Sequence, residues 1–186
     1  MKRWLAAAFL FGVAPPLAAQ QQIGELRVLG AVGRATTVTR DANYVPPIIP
    51  SENMAGGMAS FAFVYRNLSA GPEAFKLFGG DRRVSSLGGV LRLSARSGRF
   101  RPHLVVGGGR YTWDLRQTGA PGLPPFWGAD VGPRFSGSLG GGITMGDPLA
   151  RFGFTAEARA HRILQGEDFE EGRALYTVMA GVRVAW

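Results

Sequence analysis

The chain contains no cysteine. Without thiols there is no disulfide, no thiolate metal site and no thiol nucleophile, so stability must come from hydrogen bonding and packing. Long apolar runs are equally scarce. Beyond the N-terminal segment nothing approaches the roughly 20 apolar residues of a spanning helix, so any passage through a bilayer has to be made by a closed β-barrel. Histidine is limited to His103 and His161, and the carboxylates show no ligand-type spacing, so neither a metal nor another cofactor is expected. Blocks of consecutive Lys or Arg are missing as well. The formal charge is +8, but the arginines stand singly, a pattern that suits interior walls and interface rims better than a phosphate-binding stripe, and no nucleic-acid partner is expected. Gly107 to Gly109 leads through a strand pattern and not into a helix, which argues against a phosphate-cradling loop.

What is present begins with Met1-Lys2-Arg3, an apolar stretch from Trp4 to Leu17, and Ala18-Ala19-Gln20. This order of positive, apolar and small residues predicts a cleavable signal peptide over residues 1–19 and a single exported domain over 20–186. Loss of Lys2 and Arg3 lowers the formal charge from +8 by 2, to +6. The 28 Gly and 12 Pro, set against 12 Phe, 4 Trp and 4 Tyr, predict turns and aromatic strands in place of helices.

Period-two alternation carries the fold, because a barrel wall turns one residue to lipid and the next to the interior. In the last segment Tyr176, Val178, Ala180, Val182, Val184 and Trp186 share one face, and Thr177, Met179, Gly181 and Arg183 the other. Phe152, Phe154, Ala156, Ala158 and Ala160 oppose Thr155, Glu157, Arg159 and His161. Phe135, Leu139 and Ile143 oppose Arg134, Ser136 and Ser138. From Arg101 to Arg116, Val105, Tyr111, Trp113 and Leu115 oppose Arg110, Thr112, Asp114 and Arg116, and assigning the apolar set to lipid places His103 outside too. Leu87, Leu91 and Leu93 oppose Ser86, Arg92 and Ser94; Phe61, Phe63 and Tyr65 oppose Ser60, Ala62 and Arg66. A third strand is expected near Glu73 to Phe78. In the first, about Glu25 to Val38, Leu26, Val28 and Val32 oppose Glu25 and Arg27, and Arg34 breaks the pattern, marking a bulge or the rim.

The expectation is therefore all-β: an eight-stranded antiparallel up-and-down transmembrane β-barrel. Short periplasmic turns are expected near 68–72, 96–100 and 146–149, and long outer loops near 41–56, 117–129 and 164–172, with only 79–82 short on that side. Trp113 and Phe126-Trp127 are expected at the outer interface, and Phe100, Phe152 and Trp186 at the inner one.

Two stretches resemble the small eight-stranded outer-membrane barrels, the group that includes the OmpA transmembrane domain, OmpX and OmpW. The ending, with Tyr176, Val178, Val182, Val184 and the terminal Trp186, is similar to that family's C-terminal insertion signal; the segment Arg101-Pro102-His103 through Gly107-Gly108-Gly109-Arg110-Tyr111 is similar to its glycine-rich strand, with His103 in place of the usual tyrosine. The resemblance implies residence in the outer membrane of a Gram-negative bacterium, contact with outer-membrane lipids and lipopolysaccharide, and handling by periplasmic chaperones and the barrel-assembly machinery.

The polar residues expected in the interior are Arg92, Arg110, Asp114, Arg134, Glu157, Arg159, His161 and Arg183, together with Arg27, Arg66 and Arg116. An eight-stranded barrel is only wide enough for its own side chains, so these should form an ion-paired plug. No catalytic residue is expected: lipid A deacylases place a serine two residues after their histidine, and Ile163 stands there after His161, so the acyl-transfer nucleophile is missing. The reading is a structural or surface-binding protein. Its alternatives are a narrow porin-like channel for small anionic or apolar solutes, the latter implied by the OmpW resemblance, and a lipid A-modifying enzyme.

Overall fold

A computed structural model describes residues 23–36, 38–39, 48–49, 51–95, 98–117, 126–147, 150–164 and 174–186. The expected signal peptide and its cleavage point lie outside these residues, as do most of the three long loops. Ten strands are formed: β1 (Gly24–Ala35), β2 (Val38–Thr39), β3 (Ile48–Ile49), β4 (Glu52–Tyr65), β5 (Leu68–Phe78), β6 (Arg82–Ser94), β7 (Phe100–Gln117), β8 (Phe126–Met145), β9 (Phe152–Ile163) and β10 (Ala174–Ala185). Eight of them close a barrel in the order β1-β10-β9-β8-β7-β6-β5-β4, and β2 with β3 makes a separate two-stranded ribbon. Every neighbouring pair is antiparallel. Closure leaves no edge strand, so the barrel satisfies its backbone without a partner.

The first and last strands run opposed without interruption from Glu25↔Ala185 to Ala35↔Leu175, and the termini are fastened by Ile23 N–H to Trp186 O at 2.7 Å and Trp186 N–H to Gly24 O at 3.1 Å. Residues directly opposite in an antiparallel pair point to the same face, so unbroken register carries one parity from strand to strand. The exception is β7–β8, where the register shifts between Tyr111 and Trp113 and again between Trp113 and Asp114.

At the end that holds the termini the connections are tight. Arg66 and Asn67 join β4 to β5, with Arg66 at φ 57° and its guanidinium 5.3 Å from the Tyr65 ring centre. The turn expected at 68–72 is therefore strand: Leu68 to Pro72 lie in β5, which begins earlier than the sequence suggested because Ser69 and Ala70 pair with Val64 and Phe63. At the opposite end the long-loop expectations are shortened, since 52–56 belong to β4 and 126–129 to β8, and only 79–81 separate β5 from β6. Arg34 marks the rim and not a bulge: its ladder is continuous, it faces Asn53 and Tyr176, and it donates to Ser51 Oγ at 3.1 Å.

Candidate functional site

The outward face carries Leu26, Val28, Val32, Phe63, Leu91, Leu104, Val106, Leu139, Phe154, Val178 and Val182, all exposed. Phe100, Phe152, Phe63, Tyr65 and Trp186 gather on this surface toward the terminus end, where the Trp186 ring lies 5.7 Å from Phe61. The inward face is arranged in three tiers.

The middle tier is ionic. Glu157 Oε1 accepts from Arg27 Nη1 at 2.8 Å and Arg92 Nε at 2.9 Å and lies 3.2 Å from His103 Nε2, while Oε2 pairs with Arg159. Glu73 receives Arg159 Nη1 at 2.5 Å and Arg92 Nη2 at 3.0 Å. Glu25 takes Arg27 Nε at 3.1 Å, Arg183 Nε at 2.9 Å and the Ser69 hydroxyl at 3.0 Å. Four guanidinium groups and three carboxylates thus form one continuous web in which every member is buried. Charges taken out of water need such shared, charge-assisted hydrogen bonds, because isolation would cost several kcal/mol per ion.

Toward the loop end the filling becomes apolar. Leu29, Met54, Met58, Phe75, Leu77, Val84, Tyr111, Trp113, Leu175 and Met179 pack as one buried cluster. His161 is embedded in it: Nδ1 is 2.8 Å from the Tyr111 hydroxyl, Nε2 is 3.0 Å from Thr177 Oγ1, and the Phe75 ring stands edge-on at 5.1 Å. Both imidazole nitrogens are occupied, and Ile163 packs against the same cluster. Among the described residues no group of three His, Asp or Glu could hold a metal ion.

Toward the terminus end the interior opens into a polar vestibule of about 530 Å³, bordered by Glu25, Arg27, Arg66, Arg101, Thr144 and Arg183 among others.

The structure places Arg92, Glu157, Arg159, His161 and Arg183 inside, together with Arg27, and brings all but His161 into the ionic web. It does not place the remaining expected residues there. Arg110, Asp114 and Arg116 are on the outer face of β7, while Tyr111, Trp113 and His103 are inside. The assignment from sequence is inverted along this strand because its loop-end half faces an apolar interior, so the polar residues are the ones turned out. Trp113 accordingly belongs to the core and not to an interface girdle. Arg134 has inward parity opposite Tyr111 but is exposed, since β9 pairs with β8 only from Ser136↔Ile163 onward. Arg66 sits in the turn. Two interior acids, Glu25 and Glu73, escaped the expected set. Glu25 was legible from its alternation with Leu26, whereas Glu73 lies in the strand whose beginning Gly71-Pro72 concealed.

No protein-family model matches the sequence, and no curated protein was found to match it. Among solved structures, the chain is similar to Neisserial surface protein A, with a TM-score of 0.63 at 12% identity, covering 87% of this chain and 97% of that one. The N-terminal β-barrel domain of Pseudomonas aeruginosa OprF aligns with a TM-score of 0.49 at 13% identity, covering 90% of this chain and 100% of that one. What the chain shares with Neisserial surface protein A at that identity is the fold alone, a closed eight-stranded antiparallel barrel.

Proposed function

We propose that the chain is an outer-membrane β-barrel with a structural or surface-binding role and no catalytic activity, its termini toward the periplasm and its longer connections toward the cell surface. The observation that carries this reading is the inverted solvent preference of the wall around the ionic tier: Glu25, Arg27, Glu73, Arg92, Glu157, Arg159 and Arg183 lie within, while Leu26, Val28, Leu91, Val106, Phe154 and Val182 lie without. A contiguous apolar belt of this kind in water would forfeit about 25 cal/mol for each Å² left wet. Hydrocarbon removes that cost, and the closed backbone ladder meets the demand that lipid imposes on every N–H and C=O. On this reading the signal peptide over 1–19 exports the chain, and periplasmic chaperones and the barrel-assembly machinery receive it. The outward face of β10, from Tyr176 through Val178, Val182 and Val184 to Trp186, then serves as the insertion signal, and lipids and lipopolysaccharide surround the folded wall.

The ionic tier and the apolar tier above it fill the bore in succession, which weighs against a conduit. An enzymatic role for His161 is disfavoured by the occupation of both its nitrogens and by the isoleucine where a nucleophile would stand. Membrane fractionation combined with gel migration before and after boiling tests the membrane reading; recovery in the aqueous fraction would overturn it. Planar bilayers containing the purified protein should show no conductance steps, and reproducible steps would overturn the sealed bore.

A further inference from the structure

The vestibule at the terminus end is an unpacked part of the bore, and its charge is one-sided. Arg27, Arg66, Arg101 and Arg183 border it against the single carboxylate of Glu25, which is already engaged by Arg27, Arg183 and Ser69. Arg101, the inward residue at the start of β7, is the group that the ionic web leaves out. Its Nε and Nη2 are shielded from solvent and make no hydrogen bond, and Glu25 and Asp147 act on it only through space, alongside the like charges of Arg27 and Arg183. The edge is closed to solvent as it stands, so a ligand in the vestibule would be received by this guanidinium turning its two unpaired donors toward it, the geometry that accepts two oxygens of one carboxylate or phosphate. The Thr144 hydroxyl borders the same space. A purely structural arginine in this position would be costly, because shielded donors without acceptors lose their hydration and gain nothing.

We propose that this vestibule binds a small oxyanion of two or more negative charges, of the phosphate-ester or polycarboxylate class, with Arg101 as the fork that receives it and Arg66 as the charge at its mouth. The volume suits a small metabolite and not a polymer. The ionic tier above ends the site, so the ligand enters and leaves by the same mouth and is held without being conducted.

The test is titration calorimetry on the protein purified from membranes in an uncharged detergent at low ionic strength, with inorganic pyrophosphate in one arm and citrate in the other. Saturable binding of either anion is expected, and the stronger arm assigns phosphate or carboxylate. Arg101→Gln should weaken it by ~10-fold or more, as expected for losing a charge-assisted bidentate contact. Arg110→Gln, on the outer wall, should leave it unchanged. Should Arg101→Gln fail to migrate as a folded barrel, Arg66→Asn decides: asparagine tolerates the positive φ of that turn, and its binding should still be weakened. Absence of saturable heat with both anions, or equal weakening by Arg110→Gln, would overturn the proposal. Because folding is read separately by gel migration, such a result leaves the membrane reading standing.

Discussion

Glu157 is the residue on which the ionic tier converges, and its surroundings decide what its loss does. Three arginines, Arg27, Arg92 and Arg159, share its two oxygens. Glu157→Gln keeps the shape but replaces half of that acceptor with a donor and leaves buried guanidiniums short of charge. A drop in unfolding free energy of about 3–5 kcal/mol is expected, the range for breaking a buried pair from one side, against about 0.5 kcal/mol or less for Arg110→Gln on the exposed wall. Denaturant unfolding of the refolded barrel measures both, and similar losses for the two variants would contradict the placement of these side chains. At this scale the sequence was readable only where hydrophobicity and depth agree. Arg159 and Arg183 alternate with outward-facing apolar residues such as Phe154, Val178 and Val182, so parity identified them. Arg110 alternates just as clearly, but it stands on the outer face between exposed Leu87 and Phe135, and the bore beside it is filled by the apolar cluster that holds Tyr111 and Trp113, so the same rule returns the wrong sign.

Among the elements, the glycine-rich strand β7 shows what its missing side chains are for. Gly88 and Gly109 face each other across β6 and β7, and a Cβ on Gly109 would stand 2.5 Å from Gly88 Cα and 2.5 Å from Leu87 O, both backbone atoms. A Cβ on Gly107 would meet Ser138 Oγ at 2.7 Å, and one on Gly140, in β8, would stand 2.9 Å from Arg159 Cγ. The glycines of β7 thus permit close approach of neighbouring strands and side chains, and Gly140 leaves room for a long arginine. Gly109→Ala should destabilise the barrel by about 1–3 kcal/mol, the cost of overpacking a site whose neighbours cannot rotate away. Gly30→Ala, whose Cβ would meet only Ala180 O at 3.8 Å, should be near neutral. The pair can be compared by the temperature at which the folded form converts on a gel, and an equal shift would refute the steric account. The eight barrel strands were all expected, the third without an alternation to carry it, while the β2–β3 ribbon was not, and strand starts were not legible: Gly71-Pro72 reads as a turn in isolation, yet Pro72 sits inside β5 opposite Gly89 because the real turn is the two residues 66–67.

For the whole molecule the question is which solvent each face meets. The native chain has no cysteine, so single cysteines can report it without background. Cysteines at Val106 and Val178, exposed on the wall, should react with a maleimide dissolved in the acyl phase when the protein is reconstituted in lipid vesicles. Cysteines at Val105 and Thr177, one residue away and buried, should not. Labelling of both members of each pair, or of the buried member alone, would refute the assignment of inside and outside. The opposite chemistry of the two faces is what the proposed membrane residence rests on, and that property belongs to no single strand.

The linear pattern by itself determined the class of structure, because alternation with period two, frequent turn residues and the absence of a spanning helix leave few ways to satisfy a backbone. It also determined which face of β1, β4, β6, β9 and β10 is polar. Only closure decided the rest. The bending of eight strands into one ring set Glu25 and Glu73 against arginines distant in sequence, stratified the bore into ionic and apolar tiers, and turned His103 and Trp113 inward. These outcomes depend on what stands across the ring at each height, a relation between strands that no local period contains.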